Sequence, residues 1–389
     1  VIVGSHLLTN IGELTTNDPT FGDYSALGRL HDAAICFEDG YVVWAGPAGA
    51  APAADEATDC AGAAVVPGFV DSHTHLVFAG DRLAEFTARA AGQPYDTGGI
   101  MDTVTATRAA SSTELAEQAR RRRAALRRSG ATTVEVKSGY ELTVEGERRL
   151  LEVAAHVGDE VTFLGAHVVP PDYATDREAY VELVAGEMLE ACAPLAGWAD
   201  VFCDRGAFTV GEARFILERA RERGLGLRVH GNQRDDSGGV ELAVELGAAS
   251  VDHCSHVNDG DLEMLAASMT VATLLPGAEF STGSSYPSGR RLLDAGVTVA
   301  LATDCNPGTS YVTSMPFVIA LAVREMGLSP DEALWAATRG GARALRRNDV
   351  GWLGVGARAH AVLLEVPAAA HLAYQPGSDH VARVFDGAS

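Results

Sequence analysis

Positive charge is scarce in this chain: 30 lysines and arginines stand against 52 aspartates and glutamates, a formal charge of -22. A surface of that sign repels phosphate backbones and anionic lipid at long range, so neither nucleic acid nor a membrane is expected as a partner. An anionic small molecule would need a local basic group to hold it. Aromatic residues are few, at 6%, and the sequence has no run of about 18 uncharged apolar residues, which excludes a membrane-spanning helix. The opening VIVGSHLLTN has no basic region leading into a sustained apolar one, so no secretory signal is expected. Cysteine is sparse: Cys36, Cys60, Cys192, Cys203, Cys254 and Cys305 show no CxxC spacing. A chain this long does not need disulfide staples, and reduced thiols in a cytoplasm are the expectation.

The chain itself has 389 residues, 47% of them hydrophobic, with 42 glycines. That suits a soluble α/β protein with many tight turns, built as one large body plus a modest second unit. Both ends read as short β elements. Near the start, HDAAICFEDGYVVWAGPA places Asp39 and Gly40 between two β-prone runs, a hairpin signal, and a Pro/Ala/Asp-rich connector follows at 47–59. Near the end, AVLLEV and HVARVF are short runs between turn residues.

The middle has another rhythm. Eight strand-like runs, VVPGFVDSHTH, TTVEVKSG, VTFLGAH, ADVFCD, GLRVH, SVDH, TVATLL and VTVALATD, alternate with helical stretches, most of which end in glycine. Eight β-then-α units are the count of a closed (β/α)8 TIM barrel, whereas a doubly wound sheet usually has fewer strands and would carry GxGxxG after its first. The expected division is a barrel over 62–352 and a small domain from 1–61 and 353–389.

In such a barrel, chemistry sits at the C-terminal ends of the strands. The polar residues there are His73, His75, Glu135, Lys137, His167, Asp204, His230, His253 and Asp304. Strand alternation points His73 and His75 the same way. His230 ends the fifth run, and Asp304 ends the eighth, beside the first when the barrel closes. Three imidazoles and one carboxylate suit Zn²⁺ or Fe²⁺, an ion that makes a water acidic enough to supply hydroxide near neutral pH. His253 is the candidate for acid–base work and for stabilising the hydrated carbonyl. Lys137 is read as the buried partner of Glu135 rather than as a carboxylated bridging ligand. Arg82 could grip a substrate carboxylate through its fork. Arg120–Arg123, with Arg127 and Arg128, reads as the solvated face of a helix. Cys254 and Cys305 read as structural thiols.

The motifs PGFVDSHTHLVFAGDR, TTVEVKSGY, TFLGAH and LATDCNPG together resemble the imidazolonepropionase family of the amidohydrolase superfamily, over nearly the whole chain. The resemblance implies metal-dependent hydrolysis of 4-imidazolone-5-propanoate to N-formimidoyl-L-glutamate in histidine degradation, at one zinc or iron ion per subunit. It makes His73, His75, His230 and Asp304 the metal ligands, His253 and Asp304 catalytic, and Arg82, Tyr95, Tyr140, His167, Asn306 and Gly308 the substrate contacts. It further implies a β-sandwich built from both chain ends, and a homodimer. One departure stands out. Where many relatives have a carboxylate three residues after the fifth-strand histidine, this chain has Gln233. An amide cannot take a proton from water, though it can hold the substrate ring, so Gln233 is placed with both the catalytic and the substrate-binding groups, and proton transfer falls to Asp304 and His253. The alternatives are another cyclic-amide hydrolase or aromatic deaminase of the superfamily, and a metal-binding scaffold without catalysis.

Overall fold

In a computed structural model, the described residues are 4–92 and 99–386. They fall into two compact units: one holds the chain up to Asp71, Ala125–Thr133 and the chain from Ser314 on; the other holds Ser72–Ala124 and Val134–Thr313.

Seven strands from the two chain ends form one sheet: β1 (Ser5–Thr15), β2 (Arg29–Glu38), β3 (Tyr41–Pro47), β4 (Glu56–Asp59), β5 (Ala64–Pro67), and, from the far end, β14 (Ala361–Leu364) and β15 (Val381–Phe385). The order is β15-β14-β5-β1-β2-β3, and β4 also pairs with β1. One edge of β1 pairs with β2 along most of its length, while the other takes β4 at His6–Thr9 and β5 at Glu13–Leu14, so the sheet forks there. The expected hairpin is present. Glu38 pairs with Tyr41, and Asp39 and Gly40 both have positive φ, the backbone of the primed turn that matches strand twist. Leu8, Ile11, Leu14, Phe37, Leu353 and Phe385 belong to one buried apolar cluster.

The other sheet is the predicted barrel. Its eight strands are β6 (Phe69–Asp71), β7 (Ala131–Lys137), β8 (Glu160–Ala166), β9 (Trp198–Cys203), β10 (Gly226–Gly231), β11 (Ser250–His253), β12 (Val271–Leu274) and β13 (Val299–Leu301). They neighbour one another in chain order, and the ladders from β7 through β13 are all parallel. Strands buried on both faces explain their near-continuous apolar sequences. The ring closes just past its first and last strands: Thr74 bridges Cys305, Asp304 N donates to His73 O at 3.0 Å, and His75 N donates to Cys305 O at 3.0 Å. Several intervening helices start on side-chain caps, with full capping boxes at Thr209/Glu212 and Asn258/Asp261.

Two sequence expectations are revised. The run VVPGFVDSHTH is not one strand. Ala64–Pro67 pairs with β1 and β14, and only Phe69–Asp71 joins the barrel. Pro67 has no N–H to continue a ladder, and the chain changes sheets at Gly68. Within the helix Ser112–Arg128, Arg122 is buried rather than solvated. Its guanidinium lies 3.4 Å over the Phe78 ring, and Nη1 donates to Leu76 O at 2.8 Å and Phe78 O at 3.0 Å, so it braces the segment just after the paired histidines. Arg121, two-thirds exposed, keeps the solvated role. All six cysteines are buried and free. Among the described residues, no helix is long and apolar enough to cross a membrane.

Candidate active site

The short strand β6 ends at Asp71, and His73 and His75 follow in the extended segment that closes the ring. Their Nε2 atoms are 3.3 Å apart. His230, on β10, brings its Nε2 to 3.4 Å from that of His75. Asp304, three residues past β13, places Oδ1 3.5 Å from His73 Nε2 and 3.6 Å from His75 Nε2. Side chains 230 residues apart in sequence thus present donor atoms to one point. All four are at most 3% exposed.

Three imidazole nitrogens packed this closely in a buried site need a shared partner. Burial, with the neighbouring Lys137 and imidazoles, holds His73 well below the usual imidazole range. Burial, with His167 and His230 nearby, does the same to His75. Neutral rings offer lone pairs, and the chemistry of that donor set is that of a cation ligand shell. The separations agree, because donors about 2.0–2.2 Å from one tetrahedral centre lie about 3.3–3.6 Å from each other. The residues present therefore fit one divalent metal ion, and His73, His75 and His230 form a group of potential ligands on that geometry alone.

Two carboxylates that the sequence reading did not single out stand behind these rings. Asp252 Oδ2 lies 2.7 Å from His73 Nδ1, and Asp200 Oδ2 lies 2.9 Å from His230 Nδ1. Each orients a ring so that Nε2 faces the shared point, the arrangement that fixes tautomer and direction in metal-bound histidines. Their only sequence signal was a charged residue inside a buried apolar run, in WADVFC and SVDH.

The other expected residues are placed as follows. His253 ends β11, with its ring centroid 5.8 Å from that of His73 and 5.5 Å from that of His230. Burial, followed by the His230 charge, keeps it well below the usual imidazole range, and its Nδ1 has no hydrogen-bond partner among the described residues. His253 and Asp304 both have positive φ, at 81° and 51°. For a histidine this is a sparsely populated conformation, and such strain concentrates at functional sites. His167 stacks on His75 with centroids 5.4 Å apart and planes 19° apart, and burial, followed by His230, brings its pKa down to about 3.

A cavity opens in front of the imidazoles, with Arg82, Tyr140, His167, Gln233, His253 and Asn306 in its lining. Asn306 Oδ1 accepts from the backbone N–H groups of Gly308 and Thr309, both at 2.8 Å, which shapes the last barrel loop. A Cβ at Gly308 would meet Arg82 Nη1 at 2.0 Å, so any larger residue there would have to displace the Arg82 guanidinium. Arg82 is steadied by Glu85, with Nε donating to Oε2 at 2.6 Å. Gln233 is held through its backbone N–H, which donates to Asp204 Oδ2 at 2.7 Å; Asp204 thus organises the loop after β10 and lies outside the imidazole cluster. Tyr95 lies outside the described residues.

Two residues beyond His253, Ser255 donates through Oγ to Glu279 Oε1 at 2.7 Å. Glu279 is buried on the helix Pro276–Thr282, and burial raises its carboxyl from 4.5 to about 7. Below its unfolded value of 4.5 both states hold the proton. As pH rises through about 7 the unfolded chain has already released it, and the fold loses on the order of 3 kcal/mol. Glu279→Gln should therefore flatten the fall in Tm between about pH 4.5 and pH 8. Parallel Tm–pH curves for variant and parent would show that Glu279 carries no such linkage.

A model of the amidohydrolase family matches residues 64–387. The chain is 62% identical to the imidazolonepropionase of Mycolicibacterium smegmatis over 97% of this chain and 96% of that protein. It is 58% identical to the imidazolonepropionase of Streptomyces griseus over 97% of each. In structure it is similar to an atrazine chlorohydrolase from Arthrobacter aurescens TC1 complexed with zinc, with a TM-score of 0.73 and 19% identity over 98% of this chain and 94% of that one. That last likeness concerns the fold.

Proposed function

This chain belongs to the amidohydrolase family and, within it, to the imidazolonepropionases, and from that premise we propose that it hydrolyses 4-imidazolone-5-propanoate to N-formimidoyl-L-glutamate, a step of histidine degradation. The observation that carries this reading is the convergence of His73, His75, His230 and Asp304 on one point at the floor of a cavity that also holds Arg82. The four are the proposed ligands of a single Zn²⁺ or Fe²⁺, both of which an N₃O donor set accepts. An ion bound there supplies Lewis-acid polarisation of the substrate carbonyl and brings the pKa of a coordinated water toward neutrality.

The remaining steps belong to side chains. Asp304 takes the proton released as water oxygen bonds to the ring carbonyl carbon. His253, across the cluster, stabilises the oxyanion by hydrogen bonding, and the carbon–nitrogen bond breaks as the ring nitrogen gains that proton. Arg82 holds the propionate, with Tyr140 beside it, and fixes the carbonyl over the cluster with binding energy taken remote from the reacting atoms; Tyr95 is assigned to the substrate on the family resemblance alone. His167 packs against the ring. Gln233 offers its amide to the ring nitrogens, Asn306 and Gly308 shape the opposite wall, and no carboxylate is required at position 233.

The proposed division is a catalytic barrel over 62–352 and a composite sheet domain from 1–61 with 353–389, to which Ala64–Pro67 also contributes a strand. A homodimer and a cytoplasmic location, with neither nucleic acid nor membrane as partner, rest on the family resemblance, the negative net charge and the free cysteines.

The test generates imidazolonepropionate in situ, adds metal-reconstituted protein, and follows loss of the substrate's ultraviolet absorbance. Turnover of uncharged cyclic amides or aromatic amines with none of the propionate would overturn the substrate assignment; metal occupancy without turnover of any of them would overturn catalysis. In the same assay Arg82→Ala should raise KM by about 10- to 100-fold, the worth of a charged hydrogen-bonded pair, with a smaller effect on kcat. An unchanged KM would remove Arg82 from the substrate site.

A further inference from the structure

β7 carries Glu135 and Lys137 two residues apart, both fully buried in the barrel interior. Lys137 Nζ lies 2.9 Å from Glu135 Oε1, 2.9 Å from Asp200 Oδ2 and 3.9 Å from Asp252 Oδ2. Each of these carboxylates also touches a segment bearing a proposed metal ligand. Glu135 Oε2 accepts from Thr74 N at 3.1 Å, the peptide between His73 and His75. Asp200 Oδ1 accepts from His230 N at 3.1 Å, and the Oδ2 that faces Lys137 is the oxygen 2.9 Å from His230 Nδ1. Asp252 Oδ2, likewise turned to the lysine, is the oxygen 2.7 Å from His73 Nδ1.

Three buried carboxylates this close repel one another and cannot all stay ionised without a cation among them. Asp200, Asp252 and His230 present donor atoms within 4.8 Å of one another, a grouping with the dimensions of a cation site. The ammonium of Lys137 already lies against both aspartates. Arg228, also buried nearby, has Nη1 3.2 Å from Ser250 Oγ and its guanidinium 4.3 Å over the Trp198 ring, and its charge adds to that of Lys137 on Asp252. Burial works to strip the proton from Lys137, but the facing Asp200, Glu135 and Asp252 outweigh it and raise its pKa above the ordinary lysine value.

We propose that Lys137 is a positioning residue: a built-in cation that takes the place of a second metal ion and, through Glu135, Asp200 and Asp252, holds the His73–His75 segment and the His73 and His230 rings in ligating geometry. The inference rests on the metal-ligand assignment above and goes beyond it, since Lys137 is neither one of the proposed ligands nor part of the cavity lining. It gives one side chain control over two of the three imidazoles from the far side of their rings. It also explains how a cluster rich in acidic donors takes up a single exchangeable ion.

The experiment is a Co²⁺ titration of apoprotein, read by d–d absorption, on the parent, on Lys137→Met, which keeps length and loses charge, and on the His73→Ala/His75→Ala control. The parent is expected to take up one equivalent. A folded Lys137→Met, checked by circular dichroism, should bind Co²⁺ about 10- to 100-fold more weakly with an altered band shape, the usual cost of losing an outer support. Its kcat should fall while KM changes little. Parent-like affinity and spectrum in folded Lys137→Met would overturn the proposal. If Lys137→Met does not fold, Lys137→Ala refolded with methylammonium decides: recovered Co²⁺ binding supports the proposal, and failure to recover it overturns it. A parent whose Co²⁺ uptake is untouched by the double alanine change would instead overturn the ligand assignment itself.

Discussion

Replacing His73 and His75 together with alanine should leave a folded protein that no longer retains metal and no longer turns over. The two rings supply adjacent donors, with Nε2 atoms 3.3 Å apart, and His75 is also the ring that faces His230 at 3.4 Å. With both gone, His230 and Asp304 remain, and two donors are too few for a stable site where three or four protein ligands are the rule. Since a bound ion brings the pKa of water from 15.7 to about 7, its loss should cut kcat/KM by at least about 10⁴-fold. The measurements are metal content after dialysis and initial rate under added Zn²⁺ or Fe²⁺. Retention of stoichiometric metal by the double variant, with most of the activity, would place the reaction elsewhere. Both side chains face inward from a segment whose backbone is bonded across the ring closure, so the fold should tolerate the change. Treating the parent with a chelator should give the same inactive state, and restoring the ion should rescue the parent alone.

The second large effect is expected from His253→Asn. His253 lies on β11, next to the strand carrying His230, with no hydrogen-bond partner at Nδ1 among the described residues and a ring packed against those of His73 and His230. Its proposed task is to act on a charge that exists only while the carbonyl is tetrahedral. Loss of such a group typically costs about 10²- to 10⁴-fold in rate. The fall should appear in kcat and kcat/KM together, with metal content unchanged, because the interaction is absent from the ground state. A variant that loses metal in proportion to activity would show that His253 supports the ion rather than the transition state. Asparagine tolerates the left-handed backbone that residue 253 adopts, so the comparison does not confuse chemistry with strain.

Much of this molecule is written along the chain. Each of the eight apolar runs of the middle section holds a barrel strand, the first run only in Phe69–Asp71, because a strand buried on both faces is largely apolar. The Asp39–Gly40 hairpin is equally local, since only its own two residues must accept positive φ. The pairing of His73 with His75 follows from a period of two, and the idea that strand-end polar residues meet follows from the fold class. Gln233 and Arg82 were legible as chemistry before their cavity was.

Other features depend on neighbours far away in sequence. The break at Gly68, which sends Ala64–Pro67 to one sheet and Phe69–Asp71 to another, depends on β14 arriving nearly 300 residues later. Arg122, one basic residue in a run of four, is buried because Phe78 and two backbone carbonyls wait for it across the fold. Asp200 and Asp252 look like stray charges in apolar strands until the ladder sets each behind an imidazole, the second of them 179 residues from its partner. Lys137 announced the partner on its own strand, Glu135, but not Asp200, which reaches it from another strand. The sequence by itself determined which residue types line which strands, because period and polarity are local properties. Only the tertiary structure decided which buried charges compensate one another, because electrostatic pairing depends on distances of a few ångströms that barrel closure alone sets.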